Sequence, residues 1–140
     1  MRKFEAPFPR GNCPIYSFGP EDKSAPLVLL FPDAFGPRPA SFAVAEELAA
    51  GGWRVLMLDQ FYEGIPYAPL TPKSLFQVGP ERDRVMQMFM SIDLPKIDED
   101  VAAMIALAEE RSDAGVPFAA TGYCMGGRYV LSAATASERV

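Results

Sequence analysis

One short segment combines a reactive side chain with a backbone that could expose it. It reads Gly122-Tyr123-Cys124-Met125-Gly126-Gly127, between an apolar stretch and a run of small residues that is typical of a helix. In the G-x-nucleophile-x-G arrangement, small flanking residues allow a sharp strand-to-helix turn that exposes the middle side chain. The pattern therefore predicts that Cys124 is a nucleophile at the start of a helix.

The helix that follows would supply part of the chemistry. Unpaired amides and the helix dipole favour negative charge at such a position, and the N–H of Met125 could bind an oxyanion. The alternative is a buried, unreactive cysteine in a Gly-rich turn. The strand before the motif and the helix after it favour the nucleophile. The sequence contains no histidine, so a Cys–His pair cannot form within it.

The elements that must position this turn alternate along the chain. Short apolar stretches around Pro9-Arg10-Gly11-Asn12 predict a hairpin, and the prolines make the early chain rich in loops. Continuous apolar runs are typical of strands buried on both faces and occur at 27–31, 53–58 and 116–121. Helical spacing predicts helices at 39–50, 81–90, 95–114 and 126–136. Asp98, Glu99 and Asp100 would stabilise the third of these through its dipole.

This order predicts an α/β fold with a mostly parallel sheet and helices on both faces. Ligands in such folds bind beyond the carboxyl ends of the strands. The loops that leave those ends begin at Pro32, Asp59 and Gly122, and the segment 60–80 has the composition of a long loop.

Composition argues against several other classes of function. The net charge is −5 and the Lys and Arg residues are scattered, so we expect no nucleic-acid partner. No signal peptide or apolar run of membrane length is evident, so we expect a cytoplasmic protein without a membrane partner. Cys13 and Cys124 are far apart, which argues against a disulfide and against a metal site. We expect no cofactor, since no dinucleotide fingerprint occurs.

Three segments together resemble the dienelactone hydrolase family. Thr121-Gly122-Tyr123-Cys124-Met125-Gly126-Gly127-Arg128 resembles its nucleophile segment, and Pro32-Asp33-Ala34-Phe35-Gly36 resembles its acidic-x-Phe-Gly loop. The third segment runs from Asp59-Gln60-Phe61-Tyr62 to Tyr67-Ala68-Pro69 and resembles the family's Asp-Leu-Tyr/Phe loop. Their order and spacing also fit, and the resemblance covers nearly all of the chain.

The resemblance implies an α/β-hydrolase fold in which Cys124 attacks the carbonyl of a small-molecule ester or lactone. It implies that Met125 and Ala34 donate the two oxyanion N–H groups, and that Asp33 replaces a glutamate that contacts the resting thiol. The alternative for Asp33 is that it stabilises its own turn. Arg82, Arg84 and Tyr62 are the candidate substrate-binding residues, and a solvated helix face is the alternative for the two arginines.

The family's Asp and His lie downstream of the nucleophile helix. We therefore expect residues 1–140 to be a single α/β-hydrolase domain that is incomplete at its C-terminus, truncated after that helix, with little or no turnover. The strand before Cys124 would then form a sheet edge, which favours pairing with another chain or poor solubility. We expect residues 137–140 to lead into a further strand.

Two other functions remain open at this point. One is a catalytically dead α/β-hydrolase-like protein that binds a ligand or partner. The other is a thioesterase- or peptidase-like use of the same turn. Neither the true substrate nor the oligomeric state follows from the residues, because fold does not determine function.

Overall fold

The computed structural model describes residues 1–64, 67, 70, 71, 73 and 76–140. Its elements follow the predicted alternation of strands and helices. The strands are β1 (Arg2–Phe8), β2 (Gly11–Phe18), β3 (Leu27–Phe31), β4 (Arg54–Leu58) and β5 (Phe118–Gly122). The helices are α1 (Pro39–Ala50), α2 (Pro80–Met90), α3 (Leu94–Glu110) and α4 (Gly126–Ala136), and a 3₁₀ turn lies at Tyr62–Gly64.

The strands that the structure describes form a five-stranded mixed sheet in the order β1-β2-β4-β3-β5. β1 and β2 make the predicted antiparallel hairpin, and β2 pairs antiparallel with β4. β3 lies between β4 and β5 and runs parallel to both. The carboxyl ends of these three strands therefore lie at the same end of the sheet, and β5 lies at the edge of the described sheet.

Alternate residues of β3 point to opposite faces of the sheet, and helices bury both faces. Leu29 and Phe31 belong to a large apolar cluster that includes residues of α3 and α4. Val28 and Leu30 belong to a smaller cluster that includes Ala45 of α1. This burial on two sides explains why the strand is a continuous apolar run, and it confirms the predicted helices on both faces.

The start of α3 differs from the prediction. Asp93 caps the helix, because its side chain accepts a hydrogen bond from a backbone N–H of the first turn at 3.0 Å. That turn contains no acidic residue, so the predicted dipole role of Asp98, Glu99 and Asp100 is wrong. Asp100 is only 1% exposed and accepts hydrogen bonds from side chains outside the helix.

Two further expectations concern the loops. The predicted loop 60–80, and with it the third family-like segment, lies partly outside the described residues. Its described part opens with the 3₁₀ turn and ends where α2 begins. Residues 137–140, expected to approach a strand, form a turn in which the carbonyl of Arg139 accepts a hydrogen bond from the N–H of Phe118 at 2.7 Å.

None of the helices in the described part of the chain is both long enough and apolar enough to span a membrane.

Candidate active site

Residues 122–126, which we call the Cys124 turn, hold the cysteine in an unusual backbone conformation. The φ angle of Cys124 is 53°, and no other non-glycine residue in the described ranges has a positive φ. Left-handed backbone costs a non-glycine residue energy and persists where the surrounding structure imposes it. The Cys124 side chain is exposed. The turn between β5 and α4 therefore presents a thiol to solvent.

Two glycines allow β3 and α4 to approach this turn closely. A Cβ atom on Gly126 would lie 2.2 Å from the carbonyl oxygen of Phe31 and 2.8 Å from that of Pro32. A Cβ atom on Gly122 would lie 2.7 Å from the carbonyl oxygen of Gly126. Each contact is with backbone, which cannot rotate away. The spacing of the glycines thus has the steric basis that the sequence predicted.

The first amides of α4 surround the Cys124 turn. Gly126 donates its N–H to the carbonyl of Tyr123 at 2.8 Å, and Gly127 donates to the carbonyl of Cys124 at 3.1 Å. The N–H of Met125 donates no hydrogen bond within the part of the chain that the structure describes. It is therefore available to an oxygen atom of a ligand, which is the property predicted for an oxyanion donor.

The loop after β3 is organised by the side chain of Asp33. One carboxylate oxygen accepts a hydrogen bond from the N–H of Phe35 at 2.9 Å, and the other pairs with the guanidinium of Arg38. This geometry fits the alternative in which Asp33 stabilises its own turn. Among the described residues, no hydrogen bond joins Asp33 to Cys124, and the N–H of Ala34 donates to no acceptor.

A small apolar cluster brings both candidate oxyanion residues into one region. We define the elbow cluster as the buried residues Phe61, Leu70, Val85 and Met125. Ala34 packs against it from the loop after β3. The loops after β3, β4 and β5 thus meet at the carboxyl end of the sheet, as the fold class predicted.

A polar group beside this cluster was not identified from the sequence. Asp59 is buried and accepts hydrogen bonds from the Tyr67 hydroxyl at 2.7 and 2.9 Å and from the N–H of Phe61 at 3.0 Å. Burial raises the pKa of Asp59, and these hydrogen bonds oppose that shift. Gln60, also buried, donates through Nε2 to the carbonyl oxygen of Asp33 at 2.6 Å. The available signal was a polar Asp-Gln pair directly after a buried strand.

Tyr62, a predicted substrate contact, lies in a buried network. Its hydroxyl donates to Asp100 at 2.8 Å, and Arg10 donates to the same carboxylate at 2.7 Å. Burial raises the pKa of Asp100 to about 6, although the Tyr62 hydrogen bond and the Arg10 charge lower it. Burial likewise raises the pKa of the Tyr62 phenol. In this structure the hydroxyl connects the 3₁₀ turn to α3, so a contact with substrate stays a prediction that the geometry does not favour.

The two candidate arginines lie on α2. Arg82 is exposed, in agreement with a solvated helix face. Arg84 pairs with Glu81 one turn earlier at 2.6 Å, and this hydrogen bond raises the pKa of Arg84. A partly exposed pair of this kind contributes little stability, about 0–1 kcal/mol. Binding of a substrate carboxylate by either residue stays a prediction.

Cavity size alone does not locate the site. A cavity of 570 Å³ is lined by Leu27 and Arg54, the first residues of β3 and β4, and by no residue of the Cys124 turn. A cavity of 110 Å³ is lined by Asp33 and Tyr123 and so lies beside the turn. The smaller cavity lies at the carboxyl ends of β3 and β5, where ligands of parallel sheets bind.

The second cysteine is separate from the site. Cys13 is buried in β2, and its sulfur lies 3.6 Å from the carbonyl oxygens of Pro14 and Asp59. Burial raises the pKa of this thiol. Both cysteines are free. Among the described residues, no group of three or more His, Cys, Asp or Glu side chains could hold a metal ion.

The strand order, the parallel β4-β3-β5 unit and the strand–turn–helix around Cys124 together define an α/β-hydrolase fold. Comparison with known sequences adds the family. The sequence profile of the dienelactone hydrolase family matches residues 14–140, and the chain belongs to that family.

Three similar proteins show how much of the family fold the chain contains. It is 32% identical over 125 residues to Dienlactone hydrolase 2 of Gibberella moniliformis, covering 86% of this chain and 50% of that protein. It is 25% identical over 127 residues to Carboxymethylenebutenolidase 1 of Cupriavidus pinatubonensis, covering 91% and 53%. A dienelactone-hydrolase-like promiscuous phosphotriesterase from metagenomic libraries superimposes with a TM-score of 0.70 at 24% identity, over 99% of this chain and 54% of that one. The chain spans about half the length of the curated relatives it matches.

Proposed function

We propose that this chain contributes the nucleophile and oxyanion-binding part of a hydrolase for carboxylic esters or lactones. The observation that carries the proposal is the Cys124 turn, which exposes a thiol on strained backbone beside the N–H of Met125, a group that donates to no described residue. Membership of the dienelactone hydrolase family supports the substrate class.

The proposed reaction begins when the Cys124 sulfur attacks the substrate carbonyl. A carbon–sulfur bond forms, and the carbonyl oxygen becomes an oxyanion that the N–H groups of Met125 and Ala34 bind. Collapse of this intermediate breaks the bond to the alcohol oxygen, which leaves as the alcohol after taking up, through water, the proton that the thiol lost, and a thioester remains on Cys124. Water then hydrolyses the thioester, which releases the carboxylic acid and restores the thiol.

The sequence contains no histidine, so no histidine of this chain can act as the general acid or base of the reaction. General acid–base catalysis contributes about 10²–10⁴-fold, so we expect slow turnover of esters with poor leaving groups. An activated ester needs no protonation of its leaving group. Acylation of Cys124 by such an ester should therefore be measurable.

The test is acylation by p-nitrophenyl acetate. Release of p-nitrophenolate and intact mass should show one acetyl group per chain, and peptide mapping should locate it on Cys124. Cys124→Ser should abolish the thioester. Cys13→Ser is the matched control and should acylate like the parent chain, because Cys13 is buried away from the turn.

Acetylation spread over lysines, or none at all, would contradict the proposal. A catalytically dead binding protein would then be the better account. Acylation only by thioesters or peptides would instead favour the thioesterase- or peptidase-like use of the turn.

A further inference from the structure

Gln60 makes an unusually specific contact with the loop that carries Ala34. It is 5% exposed, and its Nε2 donates to the carbonyl oxygen of Asp33 at 2.6 Å. The other amide atom, Oε1, is buried and accepts no hydrogen bond from the described residues. The reverse orientation would place Oε1 against a carbonyl oxygen and be repulsive, so Nε2 is the atom that faces Asp33.

The carbonyl of Asp33 and the N–H of Ala34 belong to the same peptide group. A trans peptide is planar, and its C=O and N–H point in opposite directions. A side chain that holds the carbonyl on one side therefore sets the direction of the N–H on the other. Donation to the carbonyl also polarises the peptide and strengthens its N–H as a donor.

Gln60 is itself held firmly. It follows Asp59, whose N–H donates to the carbonyl of Pro14 at 3.0 Å and whose side chain accepts from Tyr67. The same carbonyl also accepts a hydrogen bond from within its own loop, from the N–H of Gly36 at 3.0 Å. The Gln60 amide thus anchors this peptide to the end of β4, in an element separate from the loop.

We propose that Gln60 is a positioning residue for the oxyanion hole: it aims the Ala34 N–H by holding the Asp33 carbonyl. This inference rests on the proposed function, since it assumes that Ala34 binds an oxyanion. The observation that carries it is the buried hydrogen bond from Nε2 of Gln60 to the Asp33 carbonyl, which links the end of β4 to the loop of Ala34.

The test compares two reactions of the same thiol. Acylation by p-nitrophenyl acetate develops an oxyanion, whereas alkylation by iodoacetamide displaces iodide at a saturated carbon and develops none. Both require a reactive Cys124. The ratio of the two rate constants therefore reports the oxyanion hole and is insensitive to changes in the thiol.

Gln60→Met keeps a similar volume and removes the donor. We expect the acylation-to-alkylation ratio to fall about tenfold, less than the about 10²–10³-fold loss seen when an oxyanion donor is removed outright. Gln87→Met, on the exposed face of α2, is the matched control and should leave the ratio unchanged. Circular dichroism establishes that each variant is folded.

An unchanged ratio in Gln60→Met, which includes an equal fall in both rate constants, would overturn the positioning role. If the parent chain itself fails to acylate, the proposed function fails separately. Gln60 is then judged from the ¹⁵N shift of Ala34, because a hydrogen bond to the preceding carbonyl deshields the amide nitrogen. A marked upfield move of that signal in Gln60→Met, absent in Gln87→Met, would support the hold on the peptide, and no move would refute it.

Discussion

Neighbouring glycines at the start of α4 allow a sharp test of the packing around the Cys124 turn. A Cβ atom on Gly126 would lie 2.2 Å from the Phe31 carbonyl oxygen, whereas a Cβ atom on Gly127 would meet nothing within 4 Å. Neither glycine has a positive φ, so backbone strain does not distinguish them. Gly126→Ala and Gly127→Ala therefore differ mainly in one steric contact.

The two substitutions should change the free energy of unfolding in opposite directions. Alanine is favoured over glycine in a helix by about 0.5–1 kcal/mol, and we expect Gly127→Ala to gain part of this at the first turn. Gly126→Ala would gain the same amount, but overpacking costs about 1–3 kcal/mol and occasionally more. The clash is with backbone of β3, which cannot move without disturbing the sheet, so we expect the upper end of that range. The two variants should differ by about 2–3 kcal/mol in the free energy of unfolding.

The assay is urea unfolding followed by fluorescence of Trp53, the single tryptophan. Gly127→Ala should unfold at the same or higher urea concentration than the parent chain, and Gly126→Ala at a clearly lower one. Cys124 alkylation should also change in Gly126→Ala, since α4 must shift. Equal midpoints for the two variants would refute the close approach of β3 and α4.

Two buried carboxylates give further predictions. The pKa of Asp100 is about 6 in the folded chain, above the ordinary value of 3.8, so the folded chain binds the carboxyl proton of Asp100 more tightly than the unfolded chain does. The free energy of unfolding should therefore fall as the pH rises between these two values. Asp100→Asn should flatten that dependence in urea unfolding at pH 4 to 7, and an unaltered pH profile would contradict the assignment. Tyr67→Phe removes hydrogen bonds to Asp59 and should cost about 1–3 kcal/mol. The loss should be larger at pH 7 than at pH 4, because the ionised carboxylate needs those donors most; equal losses would count against it.

The sequence determined the parts of this protein whose cause is local. An apolar run at 27–31 had to become a buried strand, and it did so as β3 with the predicted bounds. Glycine spacing around Cys124 predicted the tight turn, because only a missing Cβ permits that approach. The helix at 126–136 also has its predicted bounds as α4. The family resemblance was confirmed by the family profile, which matches residues 14–140.

Only the tertiary structure decided which polar side chains meet. Gln60 and Asp33 are separated by 27 positions, and Tyr62 and Asp100 by 38, so no local pattern relates them. The helix-dipole role predicted for Asp100 failed because Asp100 lies beyond the first turn of α3, and the partners that it has instead come from other elements. Apolar periodicity specifies which face of an element is buried, but the partner of a buried polar group depends on how separate elements pack. Hydrogen bonds of that kind are fixed by the assembled sheet and helices, where an unpaired polar group would be costly.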